Sequence, residues 1–310
     1  MSKLALFSQK LFEKHNTRMW RKEKDAFLET SKAAFADLGY DEITIKEDKN
    51  QLGITSRNLL VGKADADIFI TAHYDTPGRN GILMLLTPIF GSLIGSIVLL
   101  FPLFFLVGVL QGSLMIHFDS SGLDLVFRLA TFAIFALFFF VKNPKNHNDN
   151  TSGVLGVYQV AKLVAENPQL KERVAFLLFD HEEVLPGLLG SKAFAKWRRK
   201  TYPNKTDTKV INLDCIGQGD VLTVMVKTDH PNWHHMADFM TEKGYPVKKA
   251  RGGLAGNSDH ASFPGGVSLL FQKKSLLGPL YIPKIHTGRD KICNLDQIEQ
   301  LGEAVYQYIQ

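Results

Sequence analysis

Residues 68–75 read IFITAHYD, an apolar run from Ile68 to Ala72 that ends in His73 and Asp75. A short run of this kind, rich in β-branched and aromatic residues, is the signature of a strand buried on both faces. Val174 to Phe179 repeats the pattern and ends in Asp180, His181, Glu182 and Glu183, and Val210 to Leu213 ends in Asp214. Shorter strands are expected at 41–46, 59–61, 221–226 and 267–271. Between them lie helices. Phe27, Leu28, Ser31, Ala34, Phe35 and Leu38 recur at helical spacing ahead of Gly39, residues 152–166 and 192–200 read as helical, and Asn294 caps a last helix carrying Leu295, Ile298, Leu301 and Val305. Strands alternating with helices predict a layered α/β fold with a largely parallel sheet.

In open α/β sheets ligands bind in the crevice at the carboxyl ends of the strands, where these polar residues accumulate. Asp149 in NHNDNTSG (146–153) and His286 in IHTGRD (285–290) lie in loops that can reach the same crevice. Two His and three or four carboxylates, without a thiolate, form a shell suited to zinc or a similar divalent ion.

The 310 residues are 45% hydrophobic and 22% charged, which excludes a disordered chain and a small disulfide scaffold. Cys215 and Cys293 supply neither a disulfide framework nor a Cys-based zinc spacing. The net charge of +5 comes with no RNA or DNA motif, so a membrane surface is expected as partner and nucleic acid is not. The basic N-terminus lacks the apolar core of a cleaved signal peptide.

Residues 81–141 hold 11 of the 22 Phe and only three charged side chains, Asp119, Asp124 and Arg128. Residues 80–118 carry no Asp, Glu, Lys or Arg, and as one helix they would span roughly 57 Å, nearly twice a bilayer's hydrocarbon core. Leu125 to Val141 is a second apolar run, closed by Lys142 and Lys145. The two runs predict a transmembrane hairpin with its far loop near 111–124, in which Gly91, Ser92, Gly95 and Ser96 let the helices approach. Arg79, Lys142 and Lys145 sit at its open end and Asp119 and Asp124 at its loop, which places the bulk of the chain in the cytoplasm. The expectation is an integral membrane protein, of the plasma membrane if bacterial. Residues 1–79 and 142–310 would form one discontinuous catalytic domain, with 80–141 inserted as the hairpin. His73 and Asp149 can share a site only if the insertion crosses the bilayer an even number of times.

AHYDT (72–76), NDNTSGV (148–154), the Glu182–Glu183 pair before GLLGS (187–191), NLDCIG (212–217), SDHASF (258–263) and IHTGRD follow one another in a fixed order. On these motifs the sequence resembles the M28 family of zinc-dependent aminopeptidases and related hydrolases, from about Ile43 to Asp75 and from Asn148 to the C-terminus. The resemblance implies a three-layer α/β/α sandwich with a mixed, largely parallel sheet, a peptide substrate and two divalent ions, zinc in that family. One ion would take His73, Asp214 and a bridging Asp149; the other would take Glu183, His286 and the same Asp149. Glu182 would be the general base, Asp75 the carboxylate that orients His73, and Asp259 and His260 supporting groups near the substrate.

Three features depart from the pattern: His181 stands where the family often has Gly, Val184 to Pro186 lengthen the link to GLLGS, and the apolar insertion separates the first ligand from the bridging Asp. His147 is an extra donor beside Asp149. An insertion this close to the site also suggests a site mouth bordering the bilayer, suited to substrates delivered at its surface. Two rivals remain on sequence, a single-zinc glutaminyl-cyclase-like acyltransferase and a non-catalytic membrane receptor or scaffold; the complete ligand set argues against both.

Overall fold

The computed structural model describes residues 1–50, 53–79, 81–92, 105–113, 121–184, 187–252 and 257–310. Helices α1 (Lys3–Lys14) and α2 (Arg21–Ala36) precede strands β1 (Ile43–Lys49), β2 (Thr55–Val61) and β3 (Ile68–His73). The insertion follows, with a 3-10 turn (Gly81–Met84), α3 (Thr87–Phe90), α4 (105–113) and α5 (Ser121–Phe140). Then come α6 (Gly153–Ala165), α7 (Pro168–Lys171), β4 (Val174–Phe179), α8 (Leu189–Thr201), β5 (Lys209–Leu213) and β6 (Val221–Val226). The chain closes with α9 (Pro231–Glu242), β7 (Val247–Arg251), β8 (Val267–Lys274), β9 (Leu280–Tyr281) and α10 (Leu295–Ile309).

One sheet holds these strands in the order β1-β2-β4-β3-β5-β8-β6-β7, with β9 added to β8. Its centre, β4-β3-β5-β8, is parallel, as the apolar runs predict. At the flanks β1–β2, β2–β4, β6–β8 and β8–β9 pair antiparallel and β6–β7 pairs parallel, so the sheet is mixed, as expected. The reason is local. Only strands joined through a helical crossover are forced parallel, whereas β1 and β2 are joined by a short turn.

Alternation along each central strand fills two cores. Val174, Phe176 and Leu178 of β4 face α1, α2, α6 and α10, while Ala175, Leu177 and Phe179 face Phe194 of α8. Helices therefore cover both faces. Helix α1, unrecognised among the basic residues of the N-terminus, buries Leu4, Phe7 and Leu11 at helical spacing, and Phe7 packs on Tyr158 of α6 with ring centroids 4.6 Å apart.

The insertion leaves and rejoins this body at one point. Gly78 bridges to Lys142, and Arg79 N–H donates to Val141 O at 2.7 Å. The transmembrane hairpin falls partly on 80, 93–104 and 114–120, which lie outside the described residues, as do Gly95 and Ser96. Among the described residues no helix is long and apolar enough to cross a membrane. Asp124 and Arg128 occupy the first turns of α5, which leaves an uncharged stretch from Leu129 to Phe140 of about 18 Å, well short of a hydrocarbon core.

Candidate metal centre

Every chemically marked loop emerges at the same end of the sheet. His73 is the last residue of β3, Asp214 follows β5, and Glu182 and Glu183 follow β4. Asp149 precedes α6 in a loop stitched to the β5 end by its neighbours. Asn148 Oδ1 accepts from Gly217 N–H (2.8 Å), Asn150 Oδ1 from Cys215 N–H (3.0 Å) and Ser152 Oγ from Ile216 N–H (2.9 Å). Gly153 allows the approach, since a Cβ there would lie 2.3 Å from Leu213 O. The polar residues of NDNTSG thus fix the height of Asp149 above the sheet.

Four donors gather around Asp149. His73 Nε2 stands 3.4 Å from Asp149 Oδ1 and 3.8 Å from Asp214 Oδ1. His286 Nε2 stands 3.0 Å from Asp149 Oδ2 and 3.3 Å from Glu183 Oε1. Three of these four separations exceed the roughly 2.7–3.2 Å of an ordinary N–H···O bond. Two atoms each about 2.1 Å from a tetrahedral ion stand about 3.4 Å apart, so the spacings suit shared cations. Buried Asp149 Oδ2 has no hydrogen bond, and His73, Asp149 and Glu183 each offer an atom within 4.8 Å of the others. The donor set fits divalent metal ions.

The electrostatics agree. Burial pushes both imidazoles down, but Glu182, Asp149 and Asp214 around His73, and Glu183 and Asp149 around His286, outweigh it and hold both well above their ordinary value. Burial raises the Glu182 carboxyl well above its usual range, with Glu183, Asp214 and Asp259 adding to the effect.

Asp75 holds the frame. Its carboxylate accepts from Glu182 N–H and Glu183 N–H, both at 3.0 Å. His73 Nδ1 stands 3.1 Å from the main-chain oxygen of Asp75 and 3.6 Å from its carboxylate, so both oxygens face the ring nitrogen. Asp259 and His260 are buried in a 3-10 turn without hydrogen bonds to their side chains, and burial lifts Asp259 to about 7 and lowers His260 to about 4. His147 turns away, to Lys291 O and Asn16 Oδ1. His181 reaches Ser56 Oγ at 3.1 Å. Of the lengthened link, only Val184 is among the described residues.

Three contributors were not singled out from sequence. Asp290 accepts from Asn148 N–H and Asp149 N–H at 3.0 Å each, and burial lifts its carboxyl to about 7; its signal was its place at the end of IHTGRD. Cys215, buried beside Asp149 and Asp214, keeps a thiol that burial pushes well up. Arg18, fully buried, donates to Tyr74 O, His15 O and Thr151 Oγ1, and nothing in its local sequence marks it.

The centre floors a cleft of about 1230 Å³ whose walls include Met19 and Trp20, Met84 and Phe140 of the insertion, and Ile282 and Ile285.

The fold has solved counterparts. The LapA aminopeptidase of Legionella pneumophila superposes with a TM-score of 0.63 at 16% identity, over 99% of this chain and 68% of that one. The glutaminyl cyclase of Porphyromonas gingivalis gives 0.63 at 17%, over 99% and 96%. BSAP, a zinc aminopeptidase from Bacillus subtilis, gives 0.51 at 17%, over 82% and 50%. At these identities the likeness is one of fold. No curated protein matches the chain. Residues 113–309, more than half of the sequence, match the profile of Peptidase family M28, and the chain belongs to that family and is a metallopeptidase hydrolase.

Proposed function

We propose that this protein is an aminopeptidase with a dinuclear zinc centre. The carrying observation is the placing of the two imidazoles on opposite oxygens of Asp149, His73 on Oδ1 with Asp214 beside it and His286 on Oδ2 with Glu183 beside it. His73, Asp214 and Asp149 would hold one ion, and Glu183, His286 and Asp149 the second. Such a pair polarises a scissile carbonyl and acidifies water.

The chain's own groups do the rest. Glu182, beside Glu183 on a loop tied down by Asp75, takes the proton of the attacking water and passes it to the leaving amine. Asp290 accepts from the Asp149 N–H and so fixes the main chain of the loop that would present Asp149 to both ions. The apolar cleft walls bind side chains of the peptide. Asp259 and His260 support the substrate end of the site.

The reading extends to the membrane. We propose that the insertion binds a bilayer, with the catalytic residues on the cytoplasmic side. Support comes from exposed Phe105, Leu106, Val109 and Leu110 on α4, exposed Leu125, Val126 and Leu129 on α5, and the basic residues Arg79, Lys142 and Lys145 at the insertion's base.

The test is a peptide-library digest by zinc-loaded protein in lipid nanodiscs, read by mass spectrometry beside Glu182→Gln. Expected are release of single amino-terminal residues, two ions per chain in both proteins, and a loss of about 100-fold or more in the variant. Full activity in Glu182→Gln overturns the base assignment. One ion per chain with cyclisation of amino-terminal Gln would establish the acyltransferase instead.

A further inference from the structure

The hairpin between β8 and β9 ends in Leu276 and Leu277, which are 80% and 62% exposed. They are not on a loose tip. Ser275 N–H closes the turn on Pro279 O at 2.8 Å, and Gly278 takes a φ of +103°. The tip is pinned to the first short helix of the insertion, with Leu276 N–H donating to Pro88 O at 2.9 Å and Leu277 N–H to Ile89 O at 3.0 Å. Gly91 permits this contact, because a Cβ there would lie 2.6 Å from Pro279 Cβ. Leu85 and Ile89, exposed on the insertion side, extend the apolar rim.

The two chain segments that form this rim carry charge of one sign, and the exposed Asp220, whose N–H donates to Gln272 O, lies beside Lys273 at its base. From His260 to Arg289 the sequence has Lys273, Lys274, Lys284 and Arg289 and no Asp or Glu. From Thr76 to Phe118 it has Arg79 and no Asp or Glu. Lys273 and Lys274 stand at the base of the hairpin, opposite Tyr281 and Leu280, and Lys274 and Lys284 are exposed. A rigid pair of leucines beyond a collar of lysines matches the interface of an anionic bilayer, where the apolar tips enter the acyl boundary and the cations meet the headgroups.

We propose that the Leu276–Leu277 hairpin is a membrane-insertion wedge for anionic lipid, a second contact distinct from α4 and α5. The wedge and the cleft share a wall. Ile282 and Ile285, in the loop that follows β9, line the cleft, and Gly81 at the start of the insertion packs on Thr287 and His286 O. Wedge entry therefore holds the mouth of the site at the lipid surface. This deepens the membrane part of the proposed function and does not depend on the metal chemistry.

The test uses the full chain in vesicles of phosphatidylcholine with phosphatidylglycerol, on a Cys293→Ser background that leaves only buried Cys215. An environment-sensitive dye is placed by Leu277→Cys, by Val109→Cys on α4, or by Lys200→Cys at the end of α8. Expected are a blue shift and quenching by nitroxide-labelled lipid at 277 and none at 200. Lys273→Gln with Lys274→Gln should weaken quenching at 277 several-fold, and pure phosphatidylcholine should do the same. Quenching at 109 without quenching at 277 removes the wedge and leaves the insertion's anchoring in place. No quenching at either position removes both. A shift at 277 that rises with protein concentration in the absence of lipid identifies a second copy of the chain as the occupant, and also overturns the wedge.

Discussion

Asp75 and Glu183 meet through the main chain, the amide of Glu183 donating to Oδ2 of Asp75 at 3.0 Å. Glu182 donates to Oδ1 at the same distance, so one carboxylate at the end of β3 fixes both glutamates at the end of β4. Burial alone would raise Asp75, but His73, Lys24 and the Glu182 amide outweigh it and hold the carboxyl down at about 2. Asp75→Asn leaves only one acceptor oxygen and turns an NH2 toward an N–H. The expected result is a folded protein whose zinc affinity falls about 10- to 100-fold, measured by chelator competition.

Metal removal should be read in stability as well as activity. The buried carboxylates of Asp149, Asp75, Glu183 and Asp214 crowd one crevice, and a cation that binds only the folded state stabilises it by mass action. At free zinc roughly 1,000-fold above the dissociation constant the gain is about 4 kcal/mol. Thermal melts should shift down with EDTA and recover with zinc. In Asp149→Asn, which weakens the residue common to both donor groups, zinc should no longer move the melt.

The parallel centre of the sheet and the strand-end donors were legible in sequence for one reason. Buried parallel strands must be continuous apolar runs, and a ligand at such a strand's end is the first polar residue after the run, as His73 and Asp214 are. Asp149 and His286 stand out in sequence only as polar residues in loops that can reach the crevice, and their roles as ligands come from motif resemblance, since a loop residue carries no period. Arg18 was not legible. Its neighbours Asn16, Thr17 and Met19 read as surface loop, and its burial is decided by contacts with Tyr74 and Thr151, far away in sequence. Which flank strands pair antiparallel in this mixed sheet is not legible, because an edge pairing depends on where a turn sends the chain, which hydrophobic pattern does not record.

The N-terminal cap should make stability pH-dependent. His15 ends α1, is buried, and meets Thr30 Oγ1 at 2.9 Å. Burial, with Arg18 and Lys14 adding to it, lowers the imidazole from 6.5 to about 4. The unfolded chain therefore takes up a proton between these values while the folded chain does not. Stability is full above about pH 6.5 and falls as pH drops toward about 4, at up to about 1.4 kcal/mol per pH unit. Urea titrations across that window should show the slope, and His15→Gln should reduce it, the rest coming from buried His260, which burial also lowers to about 4.

Arg18 is the strongest single structural test of the site's underside. Its guanidinium ties the loop after β3, through Tyr74 O, to the Asp149 loop, through Thr151 Oγ1 at 3.0 Å, and lies over the Phe27 ring at 5.1 Å. Burial lowers it to about 10, against the pull of Asp75, Asp149 and Asp290, so it is charged at neutral pH. Arg18→Met removes that charge and leaves two carbonyls and a hydroxyl without a donor in a sealed interior. The expected cost is about 3–5 kcal/mol in urea unfolding. Arg18→Lys keeps the charge, but an ammonium on a single carbon chain cannot span Tyr74, His15 and Thr151 together. It should therefore recover part of the stability while zinc affinity stays below wild type. Equal stability and equal zinc affinity in Arg18→Met would show that the two loops hold their positions without the guanidinium.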